Sequence, residues 1–487
     1  MTLFSLLTGL YVLCALLLTA YAMGTLLLLL VYLFYRRQQI VIPEVEEWPR
    51  VAFQLPIFNE RYVVERLLDA VAAIDYPGER LFIQVLDDST DATVEVIARK
   101  VAELRSRGVQ IVHVRRQQRD GYKAGALAYG LTLLDVDYAA VLDADFMPPV
   151  DFLKKTIPHL IHNSRLALVQ GRWGHLNPFD NLLTRGQTLA LDGHFVVEQT
   201  ARNRAGFLMN FNGSAGVWRV QAIQEVGGWQ PTTLSEDLDL SYRAQLGGWE
   251  CLYLPGVVVP AELPPQIAAY KQQQSRWAKG GSQCLRRLFI PVWRSGRLSL
   301  LQRLMATMHL AQYMVHPLII LLVVLTPILI LNHQLQMLNL GFLGLAGLGP
   351  PLVFVISQYD LYADWRKRLL AFPVLLILGT GMAYSNAVAA IEGLVSRRVE
   401  FHRTPKFARH WQGNEYALSL NSTAYVEAFL SLYALCGAWI ALHRLPAIVP
   451  YLLLYGLAFG TVFLWGVLDQ LALRKASRHT PPLQNRV

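Results

Sequence analysis

The stretch Tyr138-Ala139-Ala140-Val141-Leu142-Asp143-Ala144-Asp145 decides how the first half of this chain folds. A short uncharged apolar run that ends on acids reads as a buried strand with carboxylates at its carboxyl end. Upstream, three similar runs each precede a helical pattern. Val51–Leu55 is followed by Tyr62–Ile74, Phe82–Leu86 by Ala92–Arg107, and Val109–Val114 by Tyr122–Leu134. Strand, helix, strand in that order predicts an α/β domain with a parallel sheet and right-handed crossovers. Ligands bind such sheets beyond the carboxyl ends of the strands. Those ends carry Asn59-Glu60, Asp87-Asp88-Ser89 and Asp143-Ala144-Asp145.

Each group has a plain reading beside a chemical one. An Asp-x-Asp pair is most often a surface turn or a helix cap; directly after an apolar strand, Asp143 and Asp145 can instead share a hydrated cation with phosphates. Magnesium commonly takes only one or two protein carboxylates and fills its shell with water and substrate oxygens. Asp88 or Ser89 could cap the following helix, but a cap uses one side chain and leaves the adjacent acid to accept from a nucleoside's polar edge or ribose. Lys123, opening the next helical pattern, can neutralise a diphosphate. A solvated lysine is the commoner outcome there.

Further along, Ser235-Glu236-Asp237 opens a helical pattern (Leu238, Leu240, Tyr242, Leu246) and has a capping-box alternative. After Pro264-Pro265, the string Gln273-Gln274-Ser275-Arg276-Trp277 lies in a helical run with Lys271, Lys279, Arg286 and Arg287. That basic and aromatic mix also suits an interfacial amphipathic helix.

Composition adds a bilayer. The 487 residues are 53% hydrophobic and 16% charged, with a positive mean hydropathy. Phe4 to Tyr35 carries no charge, which is long enough to cross a hydrocarbon core of about 20 residues. It lacks the basic start of a signal peptide and exceeds the usual apolar length of one, so a retained helix is expected. From Arg36 to about Arg303 the charge density is that of a water-soluble domain. Later candidate spans are Met308–Leu331, Leu338–Ser357, Leu369–Ile391, Tyr425–Leu442 and Ala447–Leu468. The net charge of +9 sits largely beside these spans, in Arg36-Arg37, Arg366-Lys367-Arg368, Arg397-Arg398 and Arg474-Lys475. The positive-inside rule accounts for that without nucleic acid. If all five later candidates crossed, Arg366–Arg368 and 397–410 would fall on opposite sides, so one is expected to be short or re-entrant. His316, Glu427 and Asp469 lie in or at the ends of spans, where ionisable groups face a cavity or a partner. The four cysteines, Cys14, Cys251, Cys284 and Cys436, show no metal or disulfide spacing and are expected to be free and buried.

In order and flanked by hydrophobic spans, Asp87-Asp88, Asp143-Ala144-Asp145, Ser235-Glu236-Asp237 and Gln273-x-x-Arg276-Trp277 resemble the D, DxD, TED, QxxRW series of processive family-two glycosyltransferases. Cellulose, hyaluronan and chitin synthases share that series, as do ceramide glucosyltransferases in variant form. The surrounding wording (Gln54–Arg61, Leu191–Phe195, Phe211–Gly216) looks most like the cellulose synthase-like glucomannan and xyloglucan-backbone synthases. The likeness is strong over Val51 to Leu288 and looser beyond.

This resemblance implies a Rossmann-like GT-A domain joined to an α-helical transmembrane bundle. It places Asp87 and Asp88, with Glu60 and Lys123, around the nucleotide sugar, and Asp145 with Asp143 on Mg²⁺ or Mn²⁺. It makes Asp237 the base beside Glu236, sets Gln273 and Arg276 against the diphosphate, and stacks Trp277 under the acceptor. Phe401-His402-Arg403-Thr404-Pro405-Lys406 is similar to the FxVTxK gating loop of cellulose synthases, with Arg in place of Val and Pro before the Lys, departures that leave a gating role open. The domains expected are an N-terminal transmembrane helix (1–37), a GT-A domain (38–262), interfacial helices with QxxRW (263–300), a bundle of four to five spans (301–475) with a basic cytosolic loop (393–420), and a tail (476–487).

The activity implied is inverting transfer of a hexose from UDP-glucose or GDP-mannose to a growing β-linked, β-1,4 polysaccharide, coupled to translocation through a plasma or inner membrane, with the catalytic domain cytosolic. UDP-glucose is preferred because more relatives of this motif set use a UDP-sugar. A lipid glycosyltransferase of the ceramide type would use the same residues, with its acceptor entering from the bilayer. A transporter with a regulatory nucleotide-binding domain that catalyses nothing would be supported by inverted repeats between the two halves, and the sequence shows none.

Overall fold

The computed structural model describes residues 3–337, 347–396, 398–408, 411–412 and 414–479. Seven strands form one sheet in the order β3-β2-β1-β4-β6-β5-β7. These are β1 (Val51–Ile57), β2 (Leu81–Asp87), β3 (Ile111–Arg115), β4 (Tyr138–Val141), β5 (Leu166–His175), β6 (Gly216–Arg219) and β7 (Glu250–Ala261). The first four are parallel, and their carboxyl ends line up: Ile57 pairs with Asp87, and Gln54 with Val141. The connecting helices are α2 (Val64–Ala72), α3 (Thr93–Ser106) and α4 (Tyr122–Thr132). They cover both faces, which is why Val51, Phe53, Leu55, Ala139, Ala140 and Val141 are all buried.

A wholly parallel sheet, as expected from the repeating strand and helix, is not what forms. β6 is antiparallel to both β4 and β5. The chain turns back through Gly213 and Ala215, both in the left-handed region (φ 83° and 62°). A four-residue strand after such a turn is too short for any alternation to register. Two buried glutamines tie sheet to helix: Gln54 Nε2 donates to Gln84 Oε1 (3.1 Å), and Gln84 Nε2 to the Gly130 carbonyl of α4 (2.8 Å).

The remaining helices join this domain to an apolar bundle. α1 is Leu3–Tyr35; α5 (Phe152–His162), α6 (Leu182–Asp192), α7 (Thr200–Arg204), α8 (Val220–Glu225) and α9 (Glu236–Gly247) belong to the α/β domain; α10 (Ile267–Arg294), α11 (Leu300–Leu310) and α12 (Val315–Leu331) follow. A π-helical turn, Gly193–Gln199, links α6 to α7. α10 is not a surface helix: Ala278, Ser282, Gln283 and Cys284 are buried between α9 and the later helices. Its first turn is held by two buried acids. The Ile267 amide donates to Asp469 Oδ2 (3.0 Å), and Lys271 Nζ lies 2.6 Å from Glu427 Oε1.

Four helices among the described residues are long and apolar enough to cross a bilayer: Leu3–Tyr35, Gln312–Leu331, Thr423–Arg444 and Pro446–Ala476. Part of the candidate Leu338–Ser357, residues 338–346, lies outside the described residues; the rest is a 13-residue helix, Gly349–Leu361, running along α1. The candidate Leu369–Ile391 is a pair of helices, Trp365–Gly381 and Ala383–Val395, bent by 45°. Both ends of the pair return to the α/β side: Arg368 stacks on Phe179 (4.8 Å), and Arg286 of α10 donates to Ser396 O (2.9 Å). A bend of that size marks either a broken span or a re-entrant loop. Cys14 and Cys284 are buried and Cys251 partly so, but Cys436 is exposed on the helix Thr423–Arg444 rather than buried as expected.

Candidate active site

One cleft at the carboxyl ends of β1, β2 and β4 gathers nearly every acid and base singled out above. Its lining includes Glu60, Asp88, Lys123, Asp143, Asp145, Glu236, Asp237, Gln273, Arg276 and Trp277. Asp87 is the exception. It is buried beneath the cleft floor, where Oδ2 meets His113 Nε2 (2.8 Å) and Oδ1 accepts the Ser89 amide (2.8 Å). It holds the end of β2 in shape and does not face the cleft.

Neither capping alternative is realised. α3 begins after Ala92 with no side-chain cap, and Ser89 Oγ accepts instead from the Asn59 amide (2.9 Å). Asp88 is left free to take a two-pronged pair with Arg116, Nε to Oδ1 at 3.0 Å and Nη2 to Oδ2 at 2.5 Å. That planar match fixes the carboxylate at the rim. Ser235 precedes α9 without capping it; the Leu238 amide is taken by Asp237 Oδ1 (2.8 Å).

Lysines stand on both acids of the Asp-x-Asp pair. Lys123 Nζ lies 2.5 Å from Asp143 Oδ1 and also donates to Gly213 O (2.7 Å). Lys406 Nζ donates to Asp145 Oδ2 (2.7 Å) and Glu262 O (2.7 Å). Glu262 in turn accepts the Phe407 amide (2.7 Å). The segment 398–408 thus closes over the cleft. Phe401 packs beside Arg276 (4.9 Å) and Arg119 (5.5 Å), and Arg403 lies 3.3 Å from Glu60.

Burial dominates the electrostatics. It pushes the Asp237 carboxyl up to about 7, with Glu236 the next contributor, and raises Glu236 as well. It pushes Glu60 up to about 8 against the pull of Arg403. Lys123 and Lys406 are held above the ordinary lysine range because their carboxylate partners outweigh desolvation.

Among the described residues no three His, Cys, Asp or Glu side chains cluster as a ready-made metal cage. Two carboxylates converging with an open cleft above them nevertheless fit a divalent ion whose other ligands are phosphate oxygens and water. The fit requires Lys406 to release Asp145. Sequence reasoning missed Arg116, Arg119, Asn212 and Glu262. The two arginines were findable, since they follow the carboxyl end of β3; Glu262 carried no signal beyond preceding two prolines.

A mixed sheet of this order, with acids at the carboxyl ends of its parallel strands, is the GT-A type of nucleotide-sugar fold. Residues 49–280 match the model of the family described as "Glycosyltransferase like family 2", and form a family 2 glycosyltransferase domain. Among curated relatives, probable glucomannan 4-beta-mannosyltransferase 6 of Oryza sativa subsp. japonica is 42% identical over 282 residues, 56% of this chain and 49% of the relative. Glucomannan 4-beta-mannosyltransferase 9 of Arabidopsis thaliana is 44% identical over 245 residues, 50% of this chain and 46% of the relative. The chain thus spans about half the length of the curated relatives it matches. A solved mannosyltransferase, PcManGT from Pyrobaculum calidifontis in complex with GDP-Man and Mn²⁺, shares the fold with a TM-score of 0.54 at 21% identity, over 80% of this chain and 99% of its own.

Proposed function

We propose that this chain transfers a mannosyl unit from GDP-mannose, with inversion, to a growing β-1,4-linked polysaccharide. The observation that carries the reading is the convergence of Asp145, Asp237, Arg276 and Trp277 on one cleft from three separate segments. The preference for UDP-glucose gives way because the named relatives are glucomannan mannosyltransferases.

In this reading Asp237, raised toward neutrality, takes the acceptor hydroxyl's proton as that oxygen attacks the anomeric carbon. A single displacement from the opposite face turns an α-linked donor into a β product. Arg276 and Lys123 face the departing diphosphate, where positive charge lowers the barrier most; Gln273 steadies it. Asp145 with Asp143 would hold Mg²⁺ or Mn²⁺, which neutralises the leaving phosphates. Asp88, braced by Arg116, accepts from the nucleoside, and Trp277 supports the acceptor sugar.

A second cavity favours polymer over glycolipid. It shares Leu234 and Arg276 with the first, and is lined by Lys271, Gln272, Glu392, His402 and Asn421 between α10 and the later helices. A polar passage beginning at the acceptor side suits a carbohydrate chain; a lipid acceptor has no need of one. The catalytic domain is then cytosolic and the bundle multi-pass. Incubation of the purified protein with labelled GDP-mannose and Mn²⁺ tests this. Water-soluble product degraded by a β-mannanase supports it; label extracted into organic solvent would point to a lipid acceptor, and no transfer would point to a binding protein.

A further inference from the structure

Where α1 leaves the apolar bundle, a third cavity opens between its end, the β5–β7 edge of the sheet and the helix Gly349–Leu361, sharing no lining residue with the cleft. Its walls carry three arginines, Arg36, Arg37 and Arg172, and one acid, Asp360. Asp360 is already spent: it pairs with Arg36 (3.0 Å) and accepts from Tyr32 Oη (2.6 Å). Among the described residues Arg37 and Arg172 have no carboxylate within ion-pair distance. Arg172 Nε is held on Pro255 O (3.1 Å), which fixes its guanidinium at the wall.

The cavity is shaped for something outside the chain. The pairing register slips between Gly171 and Arg172, so residues 255–257 bulge out of the ladder beside the arginines. A side chain built at Gly256 would meet open space. Thr200, 5% exposed, lines the same wall, and its hydroxyl has no hydrogen-bond partner. Two uncompensated guanidiniums and an unused hydroxyl match a phosphate group.

Position selects the source. Arg36 and Arg37 directly follow the uncharged α1, so they stand at the level where acyl chains give way to headgroups. The neighbouring Tyr359, Tyr362 and Trp365 belong to the residue types enriched at that level. We infer that this cavity is a seat for the phosphate of an anionic phospholipid of the leaflet facing the α/β domain.

The test uses the full chain in nanodiscs of phosphatidylcholine with phosphatidylglycerol added in steps, reading bound lipid by native mass spectrometry and stability by thermal unfolding. Wild type should retain phosphatidylglycerol over phosphatidylcholine and unfold at higher temperature as it is added. Near an anionic leaflet one basic residue is worth about fivefold in affinity. Arg37→Gln should therefore lose about fivefold, and Arg37→Gln with Arg172→Gln about twenty-five-fold, while Arg99→Gln, on the exposed face of α3 in the α/β domain, leaves retention unchanged. Arg37 is exposed and makes no hydrogen bond or ion pair among the described residues, so its variant stands even if the double variant unfolds. Equal retention by Arg37→Gln and wild type would overturn the inference. So would equal stabilisation by inorganic phosphate or glycerol phosphate in solution, which would make the seat one for a soluble anion.

Discussion

Lys406 Nζ sits 2.7 Å from Asp145 Oδ2, having reached it from 261 residues further along the chain. A cation of the protein itself occupies the acid proposed to hold a divalent metal. The two compete for one carboxylate. Lys406→Met should lower the Mn²⁺ concentration for half-maximal binding of a guanosine diphosphate by about tenfold, the equivalent of roughly 1.4 kcal/mol. Calorimetric titration at several metal concentrations checks this; an unchanged or higher requirement would mean that Lys406 helps hold the phosphates instead.

Asp237→Asn should cut transfer about a thousandfold, within the range measured for loss of a general base. The proposed function assigns the nucleotide to other residues, so its Kd should hardly change. Equal loss of both would remove Asp237 from the base role.

A backbone position supports that carboxylate. Gly213 has φ 83°, and a Cβ there would lie 2.9 Å from Asp237 Oδ2. Gly213→Ala should lower kcat by about ten- to a hundredfold through misplacement of the base, with KM for the donor much less affected. Steady-state kinetics distinguishes this from a general loss of folded protein.

The raised Asp237 has a signature in pH. Its carboxyl is pushed up to about 7 when folded, against about 3.9 in an unfolded chain. The folded state therefore holds the proton more tightly; the stability this contributes is present in full below the unfolded value and lost as pH rises through the folded one. Asp237→Asn cannot ionise, so its melting temperature should exceed that of wild type at pH 8 by more than it does at pH 5. Transfer by wild type needs the ionised form, and kcat/KM should climb through neutrality. A difference in melting temperature that ignores pH would refute the raised value.

Lys271 and Glu427 form a buried pair 2.6 Å apart. Glu427→Gln strands a buried ammonium and should cost about 3–5 kcal/mol, read as a fall in the unfolding temperature in detergent. Lys271→Met with Glu427→Leu should recover most of it. If the single variant melts like wild type, the pair is hydrated and not buried in solution.

Much of this site was legible before any coordinates because its acids follow strands. Val51–Leu55, Phe82–Leu86 and Tyr138–Leu142 lie within two residues of β1, β2 and β4, and apolar runs of that kind announce where a sheet ends. β5 to β7 were not foreseen, since a mixed edge has no repeating strand-helix rhythm. Asp87 and Asp88 look alike in sequence, yet one points to His113 and the other to Arg116; Asp87 is the last residue of β2 and Asp88 the first beyond it, and only the folded sheet tells which of the two faces out. The lysine on Asp145 belongs to the Phe401–Lys406 motif, but no spacing rule joins positions so distant.

α10 is a continuous helix of 28 residues, about 42 Å of stiff rod at 1.5 Å per residue. Its first turn is anchored to two long apolar helices through Asp469 and Glu427. Gln273, Arg276 and Trp277 ride on the turns that follow. Tilting of those helices in a thinner or thicker hydrocarbon layer is thus transmitted as a rigid displacement of the groups proposed to meet leaving phosphate and incoming sugar. Turnover in this protein should accordingly vary with acyl-chain length, making bilayer thickness a mechanical input to its chemistry.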